Sequence, residues 1–591
     1  MRTMPSLHAP MLALGLLVAA PAWASDKIDP ELQALMQSLG DGETTAVIIE
    51  FSDKVDLERF RPLGESVRRM RMVTALRRQA AITQGSVTDL LRQRAARKPV
   101  ELWLINALAL AADADLIGKL AARPEVASIR ADRTIQLVEA TQAATAASPV
   151  PHPPAADQGR EGATTEWNIA AINAPTLWSQ GIDGDGVVVA SLDSGVDATH
   201  PDLADRWRSA AGWFDPHGEH STPSDATGHG THVMGLIVGG DAGGTSIGVA
   251  PGARWIAAKI FDDSGATTLS AIHQCFQWLL DPDGLPATDD APDIANNSWG
   301  LTDNINQCIL EFRPDVQALK LAGIAVVFSA GNAGNLGGPT SLSPANNPEG
   351  FAVGMVDDGM SVDPQSSRGP SACDVDVYPE LVAPGVLVWT ADLLGQYTEE
   401  LGTSFAAPHV SGAMALLLQQ YPGATVEELE LALKDSATDL GTPGPDNAYG
   451  YGLIDVPLAA AELSTYACPD GDGDGRGAGA GCLDLDCDDA AGDVWSAPGP
   501  ARDLTFGGDH QTLTWAAPID PGAEIASLHY DIIRSGDRSD FLAGTCIESD
   551  DATDTVAVDP QSPPSGLAFY YVVRPENDCG SGLTAPAASC P

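Results

Sequence analysis

Gly402-Thr403-Ser404-Phe405-Ala406-Ala407-Pro408-His409 runs directly into Val410–Gln420, an apolar segment with helical spacing. Gly402 allows a tight turn, so Ser404 stands at the mouth of the helix. There, free backbone N–H groups and the positive end of the helix dipole point outward, a favourable place to form an oxyanion. Serine and threonine are also ordinary N-caps, so this stretch alone carries two readings. Three upstream segments decide between them.

Val187-Val188-Val189-Ala190-Ser191-Leu192-Asp193 is a run of small and β-branched residues that predicts a buried parallel strand. Asp193 closes it at the carboxyl end, where open α/β sheets place their sites, although one aspartate there equally suits a turn or a cap. In Gly228-His229-Gly230-Thr231-His232-Val233-Met234-Gly235, glycines flank His229 and leave room for a substrate backbone, and a helix begins. His229 and His232 are three apart, a spacing a metal pair can use, but no HExxH pattern or nearby third ligand accompanies them. Ala325-Val326-Val327-Phe328-Ser329-Ala330-Gly331-Asn332 predicts a second buried strand, ending in an asparagine that also fits a left-handed turn.

In chain order these segments supply Asp, His, Asn and Ser. Asp, His, Ser is the order used by subtilisin and differs from that of two other serine hydrolase folds. The segments resemble the subtilase signatures over roughly residues 160–465. Trp167-Asn168-Ile169, Gly248-Val249-Ala250-Pro251-Gly252-Ala253, Asn296-Asn297-Ser298-Trp299-Gly300 and Phe328-Ser329-Ala330-Gly331-Asn332 resemble the bacillopeptidase F branch of that family. The resemblance implies an α/β catalytic domain, a parallel sheet flanked by helices. It implies serine endopeptidase activity on protein or peptide substrates, with no cofactor for catalysis. Ser404 would be the nucleophile, His229 the base and then the acid, and Asp193 the group that holds the imidazole. Asn332 and the Ser404 N–H would bind the oxyanion. Ser298, Trp299 and Gly300 match the segment that binds extended substrate; Trp299 shapes a subsite or belongs to the core. His200, His232 and His409 read as packed structural histidines. Asp202 matches a calcium-ligand position of many subtilases, but the loop 239–246 offers only Asp241 as a carboxylate. A surface protein on an inactive protease scaffold is the competing class; such scaffolds lose a catalytic position, and all four are present here.

The rest of the chain has the organisation of an exported zymogen. Residues 1–24 read as a signal peptide, with Arg2, an apolar run from Met11 to Ala20 and the cleavage box Ala22-Trp23-Ala24. No later run is long and apolar enough to span a membrane, so the expected location is secreted or periplasmic. Residues 25–138 resemble a small α+β subtilase propeptide that acts as an intramolecular inhibitor. Strands are expected at 45–51, 100–105 and 126–130, with a helix at 112–122. Within it, residues 54–98 hold 12 Lys+Arg against 4 Asp+Glu, in a chain whose net charge is −48. That contrast suits electrostatic docking or a solvated basic helix. Residues 139–165, rich in Ala, Thr and Pro, form the expected processing linker, and 166–465 the catalytic domain.

Residues 466–497 alternate aspartate and glycine. Asp470, Asp472, Asp474, Asp484, Asp486 and Asp488 offer hard oxygens that suit structural calcium, or the segment is a flexible acidic linker. Residues 498–591 read as an all-β sandwich resembling fibronectin type III, with Trp515 in its core. The nine cysteines agree with an oxidising compartment. Cys275 and Cys308 fall on helices that are neighbours in subtilases, which implies their pairing and leaves Cys373 odd. The negative charge argues against nucleic acid and anionic membranes as partners.

Overall fold

The computed structural model describes residues 26–137 apart from 41 and 94–97, residues 164–466 apart from 374, and the strands of the segment 501–581. The expected signal peptide, linker residues 139–163 and the Asp/Gly-rich segment with its six candidate calcium ligands lie outside the described residues. Two compact units divide the chain. One comprises Met1–Lys54, Ala80–Glu101 and Asn106–Arg133; the other comprises Val55–Gln79, Leu102–Ile105 and Thr134–Pro591.

The first unit is built on strand Thr45–Phe51, whose Val47, Ile48, Ile49 and Phe51 are fully buried. It pairs antiparallel with Ala107–Ala112 on one side and Val126–Ala131 on the other. Helix Ala114–Ala121 covers this core with Leu116, Ile117 and Leu120, its first turn capped by the Asp113 carboxylate. The expected strand at 100–105 stops at Leu102. Asn106 adopts φ +48° and reverses the chain, which returns as Ala107–Ala112. That strand is alanine-rich, and alanine carries no strand signal.

In the second unit seven parallel strands line up in the order Leu381–Pro384, Ala352–Val356, Ala325–Ser329, Ile294–Asn297, Val188–Asp193, Arg254–Lys259, Trp213–Phe214. Strands Ile294–Asn297, Ala325–Ser329 and Ala352–Val356 are buried throughout, as in a parallel sheet with both faces covered. From Val188–Asp193 the chain passes first to Trp213–Phe214 and Arg254–Lys259 on one side and then to Ile294–Asn297 on the other. The strand order therefore reverses at Asp193, the point where α/β sheets open a crevice. Helices His229–Val238 and Thr403–Gln420 pack into the same core through Val233, Leu236, Ile237, Val410, Met414 and Leu417, all fully buried. No described helix is long and apolar enough to cross a membrane.

The carboxyl-terminal strands form two antiparallel sheets. One contains Arg502–Phe506, Thr512–Ala516 and Val556–Val558; the other contains Thr545–Asp551, His529–Ser535, Tyr570–Asn577 and Gly580–Ser581. Both contribute to one core of Trp515, Tyr530, Ile532, Ala557 and Val573.

The cysteine expectation is corrected. Cys308 bonds Cys373, with Cα atoms 4.9 Å apart, and Cys275 is a buried free thiol. Cys275 sits inside helix Leu269–Leu279 and is fully buried. Cys308 lies in the loop ahead of helix Arg313–Leu321 rather than on a helix, where it meets the loop bearing Cys373.

Candidate active site

Asp193 ends its strand buried, 1% exposed. Its Oδ1 accepts a hydrogen bond from the His229 Nδ1–H at 2.7 Å and another from the Ser194 N–H at 2.7 Å. The close approach of the two segments depends on glycine. Gly195 has φ +117°, and a Cβ there would lie 1.8 Å from the Ser224 carbonyl. A Cβ on Gly230 would lie 2.0 Å from the Gly195 carbonyl.

One further residue holds this turn. Asp225, half-buried, accepts from Ser194 Oγ (2.9 Å), Gly228 N (2.9 Å), Thr231 N (2.9 Å) and Thr231 Oγ1 (2.7 Å). Burial works against its charge, but these donors outweigh it and the pKa falls below the ordinary value. Ser194 Oγ in turn accepts the Gly230 N–H at 2.9 Å. Sequence reasoning missed Asp225; its only signal was a polar residue four ahead of the histidine. At His229 burial opposes the charged form, yet the Asp193 carboxylate, with Asp225 and Glu400 beyond it, prevails and the pKa is raised.

Ser404 opens the first turn of helix Thr403–Gln420. Its hydroxyl donates to the Ser298 carbonyl at 3.2 Å rather than to His229, and Ser298 Oγ donates back to the Ser404 carbonyl at 2.7 Å. Nucleophile–base contacts often tighten only when substrate is bound. Asn332 Oδ1 accepts from both Thr403 N and Thr403 Oγ1 at 2.9 Å. A backbone N–H can only donate, so the side-chain oxygen is identified and the Asn332 NH2 remains for the cleft.

Ser404, Asn332, Ser298, Trp299 and Gly300 all line one cleft of about 490 Å³. Trp299 lines the cleft, yet is only 5% exposed and packs on Phe276, Phe312 and Phe328. Gln136 and Leu137 line the same cleft. Strand Thr134–Gln136 pairs antiparallel with Ala266–Thr268, and Leu137 N donates to Gly265 O at 2.8 Å. A chain segment thus already lies along one wall as an added strand.

The other histidines are engaged separately. His232 Nε2 meets Asp392 at 2.9 Å, so the two imidazoles three apart turn to different carboxylates. His409, fully buried, is pushed down to about 4 by burial. Its Nδ1–H donates to Phe405 O (2.8 Å) and its Nε2 accepts from Asn168 Nδ2 (2.8 Å). His200 Nδ1 accepts from Asp202 N at 3.2 Å. At the subtilase calcium position, Asp202 Oδ1 accepts Ala242 N (2.7 Å) and Oδ2 accepts the Tyr397 hydroxyl (2.6 Å).

A model of the subtilase family matches residues 184–452. Bacillopeptidase F of Bacillus subtilis (strain 168) is 32% identical over 512 residues, 77% of this chain but 35% of that protein, so the chain spans about a third of that relative. Subtilisin DY of Bacillus licheniformis is 34% identical over 298 residues, 50% of this chain and 99% of its own length. Subtilisin E of Bacillus subtilis (strain 168) is 30% identical over 382 residues, 64% of this chain and 87% of its own length.

Proposed function

The chain belongs to the subtilase family of subtilisin-like serine endopeptidases, and from that premise we propose that it is an exported zymogen that cuts itself and then other proteins through Asp193, His229, Ser404 and Asn332. The observation that carries this reading is the 2.7 Å bond from His229 Nδ1 to Asp193, set beside the cleft lined by Ser404 and Asn332. With Nδ1 held, Nε2 is the nitrogen free to act as base. Ser404 Oγ leaves the Ser298 carbonyl, gives its proton to His229 and attacks the scissile carbonyl. The developing oxyanion receives the Asn332 NH2 and the Ser404 N–H at the helix mouth. His229 then protonates the leaving amine, and water resolves the acyl-enzyme by the same steps in reverse. The strand Thr134–Gln136 supports self-processing, because Gln136 and Leu137, next to the expected processing linker, line the same cleft as Ser404. Residues 1–24 act as the export signal, and the two carboxyl-terminal sheets form a fibronectin type III-like accessory module.

The test is intact mass of the secreted wild type beside Ser404→Ala, with casein hydrolysis and a serine-directed covalent inhibitor. A shortened, active, labelled wild type and a full-length, inert Ser404→Ala chain are expected. A wild type that stays full length and inert overturns the proposal.

A further inference from the structure

Leu342 lines the same cleft as Ser404, Asn332 and the segment Ser298–Gly300, and among the described residues His229 is not part of that lining. To receive both oxyanion donors, the scissile carbonyl must lie between the Asn332 NH2 and the Ser404 N–H. To receive its proton, the leaving amine must face His229. The cleft is therefore the acyl side, and the side chain next to the scissile bond on that side enters it beside Ser404.

Two glycines stand at that place, and one leucine lies against both. A Cβ on Gly300 would lie 2.5 Å from Leu342 Cδ2, and a Cβ on Gly331 would lie 3.0 Å from the same atom. Bare backbone on two walls leaves a narrow slot, and the Leu342 side chain already fills its inner part. The leucine is held there. Its N–H donates to the Tyr378 hydroxyl at 3.2 Å and its carbonyl accepts from Asn346 N at 2.9 Å. The adjoining Ser343 carbonyl accepts from Leu301 N at 2.8 Å, which ties this segment to Gly300. Tyr378, fully buried, donates in turn to the Ala330 carbonyl at 2.5 Å, which ties it to Gly331. A buried side chain packed in this way yields to a ligand only if its neighbours move.

We propose that Leu342 closes the slot to long side chains, so that the enzyme cleaves after glycine, alanine or serine and rejects leucine and aromatic residues at that position. The inference rests on the assignment of Ser404 and Asn332 above. The whole cleft, about 490 Å³, has room for more than one residue of a peptide, so the restriction falls on the residue next to the bond and not on those further along. The chain carries a fitting substrate in its own sequence. Ala143-Ala144-Thr145-Ala146-Ala147-Ser148, within the expected processing linker, begins six residues after Leu137, which lines the cleft.

Quenched fluorescent peptides that differ only in the residue before the scissile bond (Ala, Ser, Leu or Phe) test this on the processed enzyme, with the cut bond read by mass. One methylene in an apolar pocket changes kcat/KM by about 10–200-fold, so kcat/KM should fall by about 10-fold or more from Ala to Phe. Leu342→Ala should raise the Phe-to-Ala ratio by on the order of 10–200-fold, whereas Leu342→Met, of similar volume, should leave it near the wild-type value. A ratio, unlike kcat alone, does not move when a variant is merely less well folded. An active wild type that cuts after Phe as fast as after Ala overturns the inference and spares the catalytic reading; this comparison needs no variant should Leu342→Ala fail to fold. An unchanged ratio in a folded, active Leu342→Ala enzyme overturns it equally. A wild type that cuts no peptide and takes no serine-directed label removes the catalytic reading, and this inference with it.

Discussion

In the proposed mechanism His229 must be neutral to take a proton and charged once it has taken it. The Asp193 carboxylate favours the second state, so the raised pKa of His229 moves the onset of activity upward. The acid limb of kcat/KM is therefore expected above pH 6.5, the ordinary value for histidine. Glu400 adds to that field from outside the triad, so Glu400→Gln should shift the limb to lower pH; an unmoved limb would remove Glu400 from the account. Asn332 and Ser404 should separate by magnitude. Asn332→Ala forfeits one oxyanion donor and should cost about 10²–10³ in kcat, whereas Ser404→Ala should cost on the order of 10⁶. Comparable losses would contradict the assignment of Asn332 as a donor. These residues were legible because each stands next to glycine or at a strand end, where the chain exposes functional groups. Asp225 was not. Its hydrogen bonds join the turn after Asp193 to the start of the His229 helix, and nothing local to Ser224-Asp225-Ala226 announces them.

At the scale of elements, helices Leu269–Leu279 and Arg313–Leu321 are joined by a buried ionic contact. His273 Nδ1 meets Asp315 at 2.9 Å and its Nε2 meets Glu311 at 2.9 Å. Burial opposes the imidazolium, but the two carboxylates raise its pKa to about 9. The fully buried Asp315 is itself pushed up by burial. A raised folded pKa stabilises below the unfolded value, and that stability is lost as pH rises through the folded one. The urea midpoint of the Ser404→Ala chain should thus fall between pH 6.5 and about 9. The loss is on the order of 3 kcal/mol, less what burying Asp315 costs. His273→Gln should flatten that window; an equally steep fall in the variant would place the pH dependence elsewhere. The β-branched strands of the central sheet were readable from composition, and so was the helix after Ser404. The strand Ala107–Ala112 was not, because four of its six residues are alanine, and only its pairing with Thr45–Phe51 makes it a strand. The cysteine pairing failed for a related reason: spacing says nothing about which loops meet.

For the whole molecule, charge is the coordinate that matters. A chain of net −48 carries its basic excess in residues 54–98, and Arg69, 7% exposed, is bound there by Asp289, Glu65 and the Ala322 carbonyl. If those contacts retain the propeptide after the first cut, added salt should weaken the hold as the Debye length shrinks from about 10 Å at 0.1 M to about 3 Å at 1 M. The lag between appearance of the shortened chain and appearance of activity should then shorten with ionic strength. An identical lag at low and high salt would assign retention to apolar contact. The strand laid along Ala266–Thr268 has a wider meaning. A groove that receives its occupant by edge pairing admits a polypeptide only after that polypeptide has surrendered its own ladder or helix. The rate at which such an enzyme consumes a folded client is set less by the client's side chains than by how often the client opens. It would work as a gauge of conformational health in its surroundings, sparing rigid proteins and removing those that breathe.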